Sequence, residues 1–349
     1  MGAVIGLARA LFGSPKKGVV SRAVEAVQNE PDASARGRTA DKPQDIPAKG
    51  WKDIFWRVYE EIQDDRVLLV SAGIAFYGLL ALFPATAAIV SLYGLFADAG
   101  TIGQQLNLLA GFLPDGALQI VGDQVTRIVS HGQGTLGLTF AVALVISVWG
   151  ANAGTKSMFD GLNIVYDERE KRSFLWLNLQ SLAFTAATVL LVLLALSAIV
   201  AVPVALQFLG IPEGSGTSLL TLLRWPLLYV VILVALACLY RFGPSRAHPQ
   251  WRWVTWGSAV AGGLWLLGSL AFSWYVASFG SYNATYGSLG AAIGFMTWLW
   301  FSTILVLLGA EINAEMEHQT ARDTTGSGGK PLGSRGAHMA DTVGPARAR

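Results

Sequence analysis

Charged residues are scarce between Val67 and Ala310: this 244-residue stretch holds only 17 Asp, Glu, Lys and Arg. Polar groups that border or interrupt such apolar runs are therefore the first candidates for chemistry, as binding points or relays for ions and polar head groups. Three sets stand out. Asn152, Lys156 and Asp160 recur at a spacing of four, so they share one face of a continuous helix, where Lys156 can pair with Asp160. The alternative for Lys156 and Asp160 is snorkelling to the membrane surface and a solvated ion pair. For Asn152 it is a helix–helix hydrogen bond. Glu311 and Asn313 form the second set, at the end of an apolar run with no neighbouring base. Asn163 or Lys156 is the expected partner for Glu311; otherwise Glu311 is an ordinary interfacial acid. The third set is Tyr282, Asn283, Thr285 and Tyr286, with Ser288 following, in a turn of about five residues between two apolar runs. It reads as a substrate contact or simply as the geometry of a tight helical hairpin.

These residues must be positioned by helices. The flanks, 1–66 and 311–349, hold 31 charges in 105 residues, whereas a soluble domain carries roughly 25% charge throughout. The middle of the chain therefore faces lipid, which excludes a soluble enzyme, a collagen-like chain and a disulfide scaffold. A span needs about 20 apolar residues. Six segments qualify, at about 67–97, 134–156, 176–202, 219–240, 253–279 and 285–310. Their runs lack the alternation of a membrane β-barrel.

Basic residues set the orientation, since Lys and Arg accumulate on the cytoplasmic side. Of 25, the N-terminal segment holds 11, the loop after span two 4, the loop after span four 3 and the C-terminal segment 5. Arg127 and Arg224 alone fall on the other side. Both termini are thus expected in the cytoplasm. Trp149, Trp176, Trp225, Trp253 and Trp256 sit near span ends, as interfacial indoles do; Trp265, Trp298 and Trp300 lie deeper.

The 98–133 loop reads as an outer cap of two short amphipathic helices. Residues 1–50 and 319–349 read as disordered cytoplasmic tails, rich in Pro, Gly, Ala and charge, around a membrane domain over 51–318. Close helix approach is expected at Gly150/Gly154, Gly290/Gly294 and Ser258/Gly262. Cys238 is the single cysteine and reads as a packing residue.

Three stretches also carry a likeness. They are Ala75-Phe76-Tyr77-Gly78-Leu79-Leu80-Ala81-Leu82-Phe83-Pro84; Trp149-Gly150-Ala151-Asn152 with Gly161-Leu162-Asn163 and Tyr166; and Tyr282-Asn283-Ala284-Thr285-Tyr286-Gly287-Ser288-Leu289-Gly290. Together with Leu308-Gly309-Ala310-Glu311-Ile312-Asn313-Ala314-Glu315, they make residues 55–318 resemble the YihY/BrkB family of bacterial inner-membrane proteins. The resemblance implies an envelope role. Members have carried the labels ribonuclease BN and virulence factor, and some are connected with export of lipid A precursors. It supplies no catalytic residue.

The residues themselves do not support a nuclease. None of His131, His248, His318 and His338 has a metal ligand at suitable spacing, and Asp167, Glu168 and Glu170 alternate with Arg169, Lys171 and Arg172 as a solvated loop does. No metal, cofactor or nucleic acid is expected.

The expected fold is an all-α membrane protein: a six-transmembrane-helix bundle with an outer amphipathic cap and disordered tails. The expected function is an inner-membrane transporter or flippase-like protein for an envelope lipid or amphipathic solute, with membrane lipids as partners. A non-transporting scaffold for envelope proteins is the alternative.

Overall fold

The structure, a computed structural model, describes residues 32–93, 138–208, 216–278, 288–326 and 329–347. The expected outer cap (98–133) and the outer turn with Tyr282, Asn283, Thr285 and Tyr286 lie outside them. Eight α-helices are described: α1 (Ala48–Asp64), α2 (Val67–Tyr93), α3 (Leu138–Val165), α4 (Phe174–Phe208), α5 (Gly216–Phe242), α6 (Trp251–Ser278), α7 (Ser288–Gln319) and the short α8 (His338–Asp341). One isolated bridge, Pro249 to Thr325, is the sole β-pairing among the described residues.

Helices α2 to α7 follow the six apolar runs because a backbone in lipid must satisfy its own N–H and C=O groups. Phe174–Leu191, Trp251–Tyr275 and Ala292–Gln319 are, among the described residues, long and apolar enough to cross a membrane. Ala48–Asp64 with Val67–Leu82 adds a fourth if that pair, bent by 61°, is one span. Large side chains such as Leu69, Val145, Leu194, Leu227, Leu267 and Trp274 point outward, more than half exposed, as a lipid-facing surface requires.

The bend between α1 and α2 has a local cause. Arg66 takes φ 51°, in the left-handed region, so the helix cannot run on. Asp167, also at φ 51°, ends α3 in the same way, with the Glu168 N–H bonded to the Asn163 carbonyl at 2.8 Å.

Helix α7 is central, packing on α1, α2 and α6; α3 lies on α2, α4 on α3 and α5 on α6. Small residues set two crossings. A Cβ on Gly150 would meet the Pro84 ring at 2.8 Å, so α3 approaches α2 there. A Cβ on Gly309 would meet the Tyr240 hydroxyl at 2.5 Å and the Gly257 carbonyl at 2.7 Å, which brings α7 against α6. Gly154 and Gly262 also face neighbours, whereas Gly294 faces open space and marks no close contact. Cys238 is half-buried and unbonded to another cysteine.

Two parts of the presumed tails are packed rather than disordered. The Ala321 N–H bonds the Arg38 carbonyl at 2.8 Å, the Ala247 N–H the Gly336 carbonyl at 3.0 Å, and the Gly344 N–H the His318 carbonyl at 2.8 Å. Leu332, Met339 and Ala340 are buried. The Arg335 guanidinium binds the carbonyls of Lys330, Arg322, Ala321 and Ala340, at 3.0, 2.9, 2.7 and 2.5 Å. Polar, Gly-rich composition here reflects a segment folded around a buried arginine, a contact no local pattern announces. Residues 32–66, 166–173, 243–250, 320–326 and 329–347 thus gather at one end of the bundle, and most of the chain's basic residues lie in these segments.

Candidate functional site

The polar residues singled out from sequence fall into separate groups. On α3, Asn152 is buried; its Oδ1 accepts a hydrogen bond from Thr185 of α4 at 3.3 Å, and its Nδ2 has no partner. Lys156 does not pair with Asp160. Its ammonium donates to Asn178 Oδ1 on α4 at 2.5 Å and lies 5.4 Å from the Trp149 ring centre. Asp160 faces outward. The face shared by Asn152 and Lys156 is therefore a seam between α3 and α4.

Asn163 is a structural clamp. Its Oδ1 accepts from the Ser245 N–H at 2.7 Å and its Nδ2 donates to Glu170 at 3.1 Å, tying the end of α3 to the loops after α3 and α5. Glu170 is in turn gripped by Arg172, at 2.8 and 2.7 Å. Burial alone would raise the Glu170 pKa, but the Arg172 bonds outweigh it and hold the carboxyl at about 2. Asn313 bridges helices, accepting from the Gly257 N–H at 2.9 Å and donating to the Val254 carbonyl at 3.3 Å.

Glu311 differs from all of these. It is fully buried on α7; no nitrogen or hydroxyl group among the described residues donates to its carboxyl, and the side chain that faces it is another carboxyl, that of Asp65. The expected partners are engaged elsewhere, Lys156 with Asn178 and Asn163 with Ser245 and Glu170. The groups that act on Glu311 electrostatically are themselves acids: Asp65, Glu315 and Glu61. Glu315 is neutralised, because Arg57 Nε bonds its carboxylate and His318 lies at 3.4 Å. Glu61 and Asp65, beside the bend before α2, have no such cation among the described residues. Burial first, then Glu315 and neighbouring acids, push Glu61 from 4.5 up to about 7. Burial first, then Asp167, push Asp65 from 3.8 up to about 6. A buried polar group ordinarily has a partner, and a lone carboxylate in the bundle core is costly. Ser71 of α2 and Tyr166 at the end of α3 likewise carry buried hydroxyls without partners.

Below this acid group is a fully buried ion pair that the sequence reading missed. Arg246 grips Glu317 in a fork at 3.0 and 2.7 Å, both side chains wholly inaccessible, with its guanidinium 4.0 Å from the Tyr166 ring centre. Thr324 donates to the same carboxylate at 2.9 Å. A signal was present: Glu311, Glu315 and Glu317 crowd the last turns of one helix, so each needs a cation or a proton. Trp253 is another correction. It is fully buried among Ile54, Ile312 and Met316 rather than interfacial. Trp265 and Trp300 do bond neighbouring helices, at Ser302 Oγ (3.0 Å) and the Leu68 carbonyl (2.9 Å). Among the described residues no group of His, Cys, Asp and Glu is arranged to hold a metal ion.

Long apolar helices with a large outward apolar surface define a membrane protein. A family model described as Virulence factor BrkB matches residues 58–331, and the chain belongs to this BrkB family. It is 32% identical over 252 residues to YfkH of Bacillus subtilis (strain 168), which bears a ribonuclease-like name; the match covers 70% of this chain and 88% of that protein. It is 27% identical to the UPF0761 membrane protein Mpe_A1422 of Methylibium petroleiphilum, over 81% of this chain and 66% of the relative, so about a third of that protein lies outside the match. A UPF0761 membrane protein of Tolumonas auensis is 25% identical over 78% of this chain and 86% of its own length. No solved structure matches the chain.

Proposed function

We propose that this protein is an inner-membrane transporter or flippase-like protein for an envelope lipid or amphipathic solute, with six spans and both termini in the cytoplasm. One observation carries the reading: Glu311, buried in the bundle with no cation among the described residues and with the Asp65 carboxyl as its neighbour. A membrane-embedded acid kept without a counter-charge is expensive in stability, and its use is to take up a cation or proton during a cycle. Asp65 and Glu61, poised near neutral pH at the same end, connect it to the cytoplasm.

The orientation rests on the basic segments gathering at one end of the bundle. A scaffold working through free tails is less well supported, because 329–347 is spent on contacts with the chain itself. We read the protein as no enzyme despite the relative's ribonuclease-like name. Glu168, Glu170, Glu315 and Glu317 are each paired with a lysine or arginine, and the acids without a cation, Glu61, Asp65 and Glu311, are assigned to proton uptake in the transport cycle.

Thermal stability of the purified protein against short-chain phospholipids and single-chain amphiphiles tests the reading. At least one class should raise Tm of the wild type but not of Glu311→Gln. No shift with any class, or shifts that are equal in both proteins for every class, contradicts it.

A further inference from the structure

Helix α1 has two faces. Gly50, Asp53, Ile54, Arg57 and Val58 are buried against the bundle, whereas Lys52, Phe55, Trp56 and Tyr59 are exposed. The 61° bend at Arg66 turns this helix away from the axis of α2, so it lies across the end of the bundle rather than extending the span. Aromatic residues on the outer face of such a helix sit at head-group level. Trp256 at the start of α6, exposed and 6.1 Å from Trp51 between ring centres, lies at the same level.

A groove of about 570 Å³ opens on this face, lined by Ala48, Trp51, Lys52, Phe55, Trp56 and Arg347. Arg347 arrives from the C-terminal segment. Its backbone N–H is bonded to Asp53 at 3.2 Å, and its guanidinium lies over Trp56, 3.8 Å from the ring centre. Asp53 is already committed to Arg36 at 2.6 Å. Neither Lys52 nor the Arg347 guanidinium has a carboxylate partner among the described residues, in contrast to Arg57, Arg172 and Arg246. Two uncompensated cations thus stand over an aromatic floor that continues into the lipid-facing surface. This is the complement of an anionic phosphodiester attached to acyl chains.

We propose that the α1 groove seats an anionic glycerophospholipid of the cytoplasmic leaflet, its phosphate between Lys52 and Arg347 and its chains along Trp51 and Phe55. Retention of lipid here is independent of passage through the bundle: Glu311 takes no part in it. It gives the C-terminal segment a purpose, since that segment delivers one of the two cations.

The test is native mass spectrometry of the full chain released from nanodiscs containing equal parts of phosphatidylglycerol and phosphatidylcholine. Two surface cations correspond to a preference for the anionic lipid of about 30-fold. Wild type should retain phosphatidylglycerol with that bias. The Lys52→Gln/Arg347→Gln pair should lose it while keeping the wild-type Tm, and the charge-conserving Lys52→Arg/Arg347→Lys pair should keep most of it. Four results overturn the proposal. They are no bias in wild type, an undiminished bias in the glutamine pair, displacement of the lipid by millimolar glycerol phosphate, and a dimer that forms only when the groove is intact.

Discussion

Removing one partner of the Arg246–Glu317 pair should destabilise the protein severely. Both side chains are inaccessible to water and joined by two hydrogen bonds, at 3.0 and 2.7 Å. Arg246→Met leaves Glu317 charged and buried, with Thr324 as its remaining donor. Breaking such a pair costs about 3–5 kcal/mol, much of it the desolvation of the orphaned ion. Domain stability is about 5–15 kcal/mol, so the single variant should lose a large part of it. The double change Arg246→Met with Glu317→Leu removes both charges and should recover most of the loss, because an apolar pair of similar volume needs no counter-ion. Thr324 keeps its bond to Glu317 in Arg246→Met and loses it only when Glu317 is replaced, so limited proteolysis just after α7 should increase more in the variants that lack Glu317 than in Arg246→Met. Thermal unfolding and proteolysis of Arg246→Met, Glu317→Leu and the double variant in one detergent provide the readout. A single variant within about 1 kcal/mol of wild type, or a double variant worse than either single, refutes the reasoning.

Other outcomes follow from the same geometry. Glu61 and Asp65 titrate higher in the folded protein than their ordinary values, so folding takes up protons; their contribution favours the fold at acid pH and is lost as pH rises from about 4 to 7. Tm should therefore fall between pH 5 and pH 8, and Glu61→Gln with Asp65→Asn should flatten that dependence. Gly150→Ala should cost about 1–3 kcal/mol by forcing α3 off Pro84, whereas Gly294→Ala, with open space around it, should be neutral or slightly stabilising; Tm of the two distinguishes them. Arg335→Ala removes a hub of four carbonyl contacts, so amides over 329–347 should exchange faster with deuterium while those of α7 near Leu307 stay protected.

The helices were readable from the chain because lipid-facing residues declare themselves by the absence of charge. Val67 begins α2 where the first apolar run begins, and Glu311 was visible as an acid closing such a run. Its isolation was not visible. That depends on where Lys156 and Asn163 point: Lys156 turns to Asn178, 22 residues on, and Asn163 to Glu170 and to Ser245, 7 and 82 residues on. The C-terminal segment was misread for a related reason. Arg335 and Gly336 look like linker residues, and only the carbonyls of distant turns make them structural. Trp253 was misplaced because an indole at a helix start is compatible with either the membrane surface or the core, and α1, which covers it, carried no span signal of its own.

The central claim is that the bundle moves an amphipathic molecule and needs the Glu311 carboxyl to do so. Its most direct test is redistribution of a fluorescent head-group-labelled phospholipid between leaflets of proteoliposomes, read by quenching from outside with dithionite. Wild type should expose inner-leaflet probe faster than empty vesicles, and Glu311→Gln, inserted and folded to the same extent, should reduce the rate at least tenfold. Equal rates for wild type, Glu311→Gln and empty vesicles across the amphiphiles that bind would contradict it.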